Sequence, residues 1–259
     1  MEVSIATIAR ALRNKNTFEW KNALRELTRP SSSSFSGVPA EAYKSIELSY
    51  NHLEGEELKS IFRLCCLMDF IENPSFSYLL SYGMGLGLFK GTHTMEEARD
   101  RALTLVDKLK NSCLLLDGPE SETFTVHDVV CDVAISIASR DQHVIAINNI
   151  EAPLRELLDW DTLKNCTAIS LYNCKIGELV EGLECPRLKF FHISPKVGFI
   201  KIPDNFFIGL TELRVLDFTE MHLLSLSSSL HLLVNLQTLC PEYGVLGDVA
   251  AIGELNVMG

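Results

Sequence analysis

The chain has 259 residues, of which 47% are hydrophobic and 22% charged, and its formal net charge is −11 at pH 7. This length suffices for two compact domains, or for one domain and an elongated array. The negative balance argues against a broad phosphate-binding surface, so nucleic acid and anionic membranes are poor partners.

The composition also indicates a cellular compartment. The eight cysteines include no CxxC pair, and most lie within apolar runs, which is typical of reduced thiols inside cells. The N-terminus lacks a basic segment followed by a long apolar one, so it does not resemble a secretory signal. The most apolar run, residues 78–89, is shorter than the ~20 residues that a membrane span needs. We expect a soluble, cytoplasmic protein.

The first third of the chain has the pattern of helices. Apolar residues at helical spacing predict two amphipathic helices within residues 1–28. Residues 29–39 are rich in Pro, Ser and Gly, which is typical of a linker. From residue 40 to about 112 the pattern is helical again, and Thr94 with Glu97 forms a capping box ahead of the last helix. We therefore expect a small helical core after the linker.

An extended pattern follows, and it leads to a histidine and an aspartate. "SCLLLDGPESETFTV" predicts two strands joined at Asp117, and a helical pattern begins at Asp128, directly after His127. "LLLD", residues 114–117, resembles the strand that ends in a magnesium-binding aspartate in nucleotide hydrolases. No glycine loop precedes it, so a hairpin is the better interpretation.

The last hundred residues contain a repeat. A template LxxLxxLxL starts at Leu163, Cys185, Leu210 and Leu233, with a weak fifth copy at Ile252. Successive copies start 22, 25, 23 and 19 residues apart. Such intervals are typical of leucine-rich repeats, which stack into a solenoid. In such a solenoid each L-x-L segment is a short strand of one parallel sheet, and the other apolar positions fill a shared core.

The repeat also predicts a binding surface. Variable positions beside the apolar ones would line a concave face that can meet a protein partner. The positions that we expect there are Ser170, Lys189, His192 and Asp217.

Several segments resemble plant disease-resistance proteins with coiled-coil, nucleotide-binding (NB-ARC) and leucine-rich-repeat regions. They are "YKSIELSYNHLEGEELKSIFRLCCLM", "LLSYGMGLGLFKGTHTMEEARDRALTLVDKLKNSCLLLDG", "FTVHDVVCDVAISIASRDQHV" and the repeats. The resemblance implies a multidomain α plus α/β fold. Residues 1–28 would end a helical, ARC1-like subdomain, 29–39 would be a linker, 40–145 a winged-helix, ARC2-like subdomain, and 146–259 a leucine-rich-repeat solenoid.

The resemblance implies a function as well. It identifies the chain as a segment of an innate-immune receptor that holds ADP when inactive and exchanges it for ATP. The family's Met-His-Asp motif matches Val126-His127-Asp128. His127 would reach the β-phosphate of ADP, and Asp128 would fix the local structure and help to keep the switch off. The implied partners are a pathogen effector or guarded host protein on the repeats, and the nucleotide-binding core of the same protein.

The phosphate-binding loop of nucleotide hydrolases is missing from the sequence, which contains no GxxxxGK[ST] motif. We therefore expect a segment of a longer protein that is not an enzyme by itself and binds ADP or ATP weakly at best. The full-length parent would be a nucleotide-binding switch with at most weak ATPase activity.

Simpler interpretations stay open beside this one. Asp128 is expected to cap its helix by accepting a backbone N–H, with His127 a mere junction residue. His127 and Cys131 could share a metal, but a zinc site needs three or four ligands, so core packing is the better interpretation of Cys131. The chain could be a protein-interaction module without a nucleotide role. Winged-helix DNA binding is less favoured, because the helix at residues 95–110 mixes both signs of charge.

Overall fold

The computed structural model describes residues 2–28, 38–68, 75–120, 122–151, 159–175, 177–196, 200–218 and 227–240. The linker at 29–37 and the fifth repeat copy from Ile252 lie outside these residues. The chain divides into two compact units, the first formed by residues 1–83 and 87–138 and the second by 84–86 and 139–259. In the described part of the chain, no helix combines the length and the apolar character that crossing a bilayer requires.

The first unit is mostly helical, and its helices lie where the periodicity predicts them. They are α1 (Glu2–Ala11), α2 (Thr17–Thr28), α3 (Ala40–Asn51), α4 (Glu56–Met68), α5 (Phe76–Gly85), α6 (Met95–Asn111) and α7 (Asp128–Gln142). The divide between the units falls near the C-terminal ends of α5 and α7.

The helices of this unit are held by apolar packing and a few polar contacts. Leu12, directly after α1, and Ala23 of α2 are buried together with Leu48 of α3, so the first two helices pack against the third. Glu57 of α4 accepts a hydrogen bond of 3.0 Å from Arg101 Nε of α6. Apolar burial supplies most of the stabilisation of such a core, and the ion pair helps to fix the orientation of α4 relative to α6.

The predicted capping box and hairpin are both confirmed. The Thr94 hydroxyl accepts from the backbone N–H of Glu97 at 3.1 Å, and the Glu97 carboxylate accepts from the N–H of Thr94 at 3.2 Å. Strands β1 (Leu116–Asp117) and β2 (Phe124–Thr125) pair antiparallel. The N–H of Gly118 donates to the carbonyl of Thr123 at 3.2 Å, which closes the turn. The segment "LLLD" is thus part of a hairpin.

The second unit contains a five-stranded parallel sheet. Its strands β3 (Val144–Asn148), β4 (Ala168–Cys174), β5 (Phe190–Pro195), β6 (Val215–Asp217) and β7 (Thr238–Cys240) are neighbours in sequence order. Helix α8 (Trp160–Asn165) precedes β4, and a 3-10 helix (Ser228–Leu232) precedes β7. Four strands coincide with the predicted L-x-L segments. Strand β3, which the sequence analysis did not identify, extends the sheet by one.

Apolar side chains fill one side of this sheet. Equivalent template positions pair directly across the strands: Ile169 with Phe191, Phe191 with Leu216, and Leu216 with Leu239. Beneath them the Phe191 and Phe206 rings lie 5.6 Å apart in an edge-on arrangement. The leucine positions of the template therefore form one continuous core, as expected for residues recurring once per strand.

Candidate functional site

The junction between the hairpin and α7 separates buried from exposed residues. Phe124 and Val126 alternate into the core and are 1% and 5% exposed, whereas His127 and Asp128 are exposed to solvent. The period-2 alternation of the strand ends at Val126, and α7 begins at Asp128. The predicted pair therefore lies at the surface of the first unit, at the start of a helix.

His127, and not Asp128, caps this helix. The N–H of Val129 donates to Nδ1 of His127 at 3.3 Å, and the His127 carbonyl accepts from Val130 N at 2.7 Å and from Cys131 N at 3.0 Å. The expectation that Asp128 supplies the cap was wrong. The helix begins one residue earlier than the preference for aspartate at this position suggests, so Asp128 lies within the first turn.

The cap determines which ring nitrogen of His127 carries the proton. Because Nδ1 accepts the hydrogen bond from Val129, the neutral imidazole holds its proton on Nε2. In the described part of the chain, the ring makes no other hydrogen bond. The Nε2–H group at an exposed helix start can therefore donate to an anionic oxygen.

The residue that follows His127 is negatively charged, and a second carboxylate lies close to it. Asp128 and Asp132 lie one turn apart on α7, and the pKa of Asp132 is raised, first by its partial burial and then by the neighbouring Asp128 carboxylate. Asp128, in the first turn of α7, interacts favourably with the helix dipole, but its carboxylate repels a phosphate. A phosphate held by His127 thus needs cationic groups from elsewhere to offset this repulsion.

Cys131 belongs to the core, as the sequence analysis favoured. Its side chain is 1% exposed, and its thiol donates to the carbonyl of Cys66 on α4 at 3.3 Å. Among the described residues, no three His, Cys, Asp or Glu side chains are grouped so that they could hold a metal ion.

Most of the residues that we expected on an exposed concave surface are buried. Ser170, His192 and Asp217 do lie on neighbouring strands in register, but all three are completely buried, and only Lys189 is exposed. The prediction of an accessible surface at these three residues was wrong. The alternation of the strands turns them away from the leucine core, yet that face is covered as well, as is common for parallel sheets.

The apolar neighbours of these residues indicate in the sequence that this face of the sheet is buried too. Ala168, Phe190 and Val215, which share this face, are also buried. The segment 84–86 belongs to the same unit, and a Cβ atom on Gly85 would come within 2.9 Å of Val215 Cγ2. Runs that are apolar at both alternating positions are typical of strands buried on both sides.

The buried polar residues on this face form a hydrogen-bonded cluster. Ser170 Oγ lies 2.7 Å from the hydroxyl of Tyr172 and 3.1 Å from Nδ1 of His192. The rings of Tyr172 and His192 pack at 4.6 Å between centroids. These hydrogen bonds favour one register of the strands, because a slip would break them in a dry environment.

The chain is similar to plant disease-resistance proteins over most of its length. The probable disease resistance protein At4g27220 of Arabidopsis thaliana is 30% identical over 247 residues, covering 92% of this chain. Disease resistance protein RPS5 of the same plant is 30% identical over 229 residues, covering 85% of this chain. Disease resistance protein RFL1 is 28% identical over 247 residues, covering 92%. No protein-family model matches the chain.

These relatives are much longer than this chain. The matched regions make up 26%, 25% and 27% of the three proteins, so the chain spans about a quarter of their length.

Proposed function

We propose, from the premise that this chain belongs to the plant disease-resistance proteins, that it is a segment of an innate-immune receptor. In this proposal the first unit regulates an ADP/ATP switch, and the second is a recognition and autoinhibition surface. The similarity to resistance proteins along nearly the whole chain supports the defence role. The chain covers a quarter of those proteins, so nucleotide exchange and partner binding are proposals about the whole receptor.

The proposed architecture is that of a winged-helix subdomain, residues 40–145, followed by leucine-rich repeats, residues 146–259. Helices α3 to α7 with the β1–β2 hairpin support the first assignment. The second is supported by the register of the sheet: paired template residues are 22, 25 and 23 positions apart, from residue 169 to 191, 216 and 239. One strand per repeat is what leucine-rich repeats have. Residues 1–28 would complete an ARC1-like helical subdomain.

The proposed switch contact is a hydrogen bond from Nε2–H of His127 to a phosphate oxygen of ADP. The observation that carries it is the cap, since the bond from Val129 holds the imidazole proton on Nε2. Asp128 would keep the helix start in place through its favourable interaction with the helix dipole. The chain is proposed to be a regulatory module, with ADP or ATP bound mainly by other parts of a cytoplasmic receptor.

Two substitutions of His127 in the full-length receptor test this contact. We expect His127→Ala to raise basal signalling and to lower the retention of ADP during purification, because the donor is lost. His127→Asn is the matched control, since asparagine can cap the helix without presenting an imidazole N–H. If both variants retain ADP and signal as the wild type does, the proposed contact does not exist.

A protein-interaction module without a nucleotide role is the second candidate. The carboxylate of Asp128 next to His127 favours it, because it repels phosphate, and Asp132 adds a second negative charge near Asp128. Calorimetric titration of this chain with ADP distinguishes a retained site from none: we expect at most millimolar binding, about 4 kcal/mol or less. Micromolar binding abolished by His127→Ala would exclude the interaction-only alternative.

A further inference from the structure

A concavity in the first unit has a charged lining that is mostly positive. It lies where the C-terminal ends of α1, α3 and α6 meet, and its volume is about 320 Å³. Its charged residues are Arg10, Arg13, Lys15 and Lys108, with Glu54 as the single carboxylate. We call these five residues and the space between them the basic pocket. Four cations and one anion make a charge of +3 in a chain whose net charge is −11.

The cations of the basic pocket are poorly neutralised. Lys15 Nζ lies 3.8 Å from carboxylate oxygens of both Glu19 and Glu54, a distance at which exposed pairs stabilise little. Within the part of the chain that the structure describes, Arg10, Arg13 and Lys108 form no ion pair. A second concavity, in the other unit, differs in this respect, because its Lys201 lies 2.7 Å from Glu178.

Helix ends explain only part of this arrangement. Arg10 and Lys108 lie in the last turns of α1 and α6, where a cation interacts favourably with the helix dipole. Arg13 and Lys15 follow α1 in the turn before α2, so this effect does not account for them. Nor does it explain why three helix ends surround one concavity.

We propose that the basic pocket binds a small molecule with clustered phosphates. Its volume is at the lower end of the range for small-molecule sites. One guanidinium group can donate two parallel hydrogen bonds to the oxygens of a phosphate. Four cations at one concavity match a ligand with two or more adjacent phosphates, either free in solution or as a lipid headgroup. The pocket includes neither His127 nor Asp128, so this ligand is distinct from the nucleotide of the proposed switch.

Titration of the 259-residue chain with inorganic tripolyphosphate tests the proposal. We expect saturable binding that the triple variant Arg10→Gln/Arg13→Gln/Lys108→Gln weakens at least about tenfold, because guanidinium–phosphate contacts are lost. The control Arg25→Gln/Lys164→Gln/Arg187→Gln removes the same three charges from exposed positions outside the pocket. It and His127→Ala should bind within about twofold of the wild type.

Three results would overturn the proposal: no saturable binding at low salt, an equal loss in the control triple variant, or a loss in His127→Ala alone. Circular dichroism of each variant verifies that the helices persist. Vesicles of phosphatidylcholine with and without phosphatidylinositol bisphosphate identify the source of the phosphates. If the wild type sediments with the vesicles that contain phosphatidylinositol bisphosphate and the triple variant does not, the ligand is a lipid headgroup. If the wild type binds tripolyphosphate but does not sediment with these vesicles, the ligand is a free compound.

Discussion

The two units place a histidine in opposite environments. His127 of the first unit is exposed at the start of α7, and its ring bonds to the backbone N–H of Val129. His192 of the second unit is completely buried, with its ring against Tyr172 and its Nδ1 at Ser170. An imidazole at a helix start can therefore meet a ligand, whereas the same group inside a covered sheet serves packing. Residue type alone does not distinguish the two roles.

One tryptophan per unit allows this comparison to be measured. Trp20 lies in the first unit and Trp160 in the second, and both are about half exposed, 45% and 50%. Replacing either one by phenylalanine leaves the other as a fluorescent probe of its own unit. Denaturant titrations in these two backgrounds then give the stability of each unit separately.

The largest expected effect is in the core of the sheet. Phe191→Ala removes a completely buried ring that packs edge-on against Phe206, and should lower the free energy of unfolding of the second unit by about 3–5 kcal/mol. The exposed Phe18, 81% accessible, is the matched control, since Phe18→Ala should change stability by under about 0.5 kcal/mol. Equal losses of stability in the two variants would show that burial does not determine how much a phenylalanine ring contributes.

Next comes the buried histidine. His192→Ala should destabilise the second unit by about 2 kcal/mol, because Ser170 loses one hydrogen bond and a cavity forms beside Tyr172. The change is measured through Trp160 in the Trp20→Phe background. A loss below that of His127→Ala would contradict the contrast drawn between the two histidines.

The pH dependence of the first unit tests its link between α4 and α6. The pKa of Glu57 is lowered, mainly by the hydrogen bond from Arg101, with smaller contributions from the Lys90 backbone and both positive charges, while burial opposes them. A carboxyl whose pKa is lowered in the folded state stabilises the fold at pH values above its unfolded pKa of about 4.3. This stabilisation is lost as the pH falls through the folded-state pKa.

Glu57→Gln should therefore be less stable than the wild type at pH 7, and the difference should shrink below about pH 4. Denaturation followed through Trp20 at a series of pH values measures it. Arg101→Gln should show the same loss of pH dependence, whereas a difference that persists at pH 3 would argue for a packing effect instead.

The smallest effect concerns the exposed histidine. His127→Ala should lower the stability of the first unit by about 1 kcal/mol through loss of the helix cap, and His127→Asn by a few tenths. Because asparagine preserves the cap, the two variants separate the structural role of His127 from ligand binding. If His127→Asn destabilises as much as His127→Ala, the cap formed by Nδ1 contributes little.

Much of the fold could be predicted, because its signals are local. The capping box at Thr94 lies within a single turn of chain, and the hairpin turn at Gly118 depends on a few neighbouring residues. The strands of the sheet follow from a repeated template that needs no knowledge of distant contacts. Strand β3 was missed because it precedes the first copy of that template.

The candidate site was predictable only in part. The position of His127 and Asp128 between a strand and a helix follows from a change of period in the sequence. Which of the two caps the helix does not, because the outcome depends on where the first helical hydrogen bond forms, from Cys131 or from a later residue. A shift by one residue exchanges the roles of neighbours.

The sequence by itself determined the helices of the first unit, the repeat register and the place of His127 and Asp128 between a strand and a helix, since each depends on residues that are close along the chain. Only the tertiary structure decided that Ser170, His192 and Asp217 are buried, and that Arg10 and Lys108 line one pocket. Burial of a second sheet face and the convergence of helix ends depend on packing between distant segments. Local periodicity specifies which side a residue occupies, not what covers that side.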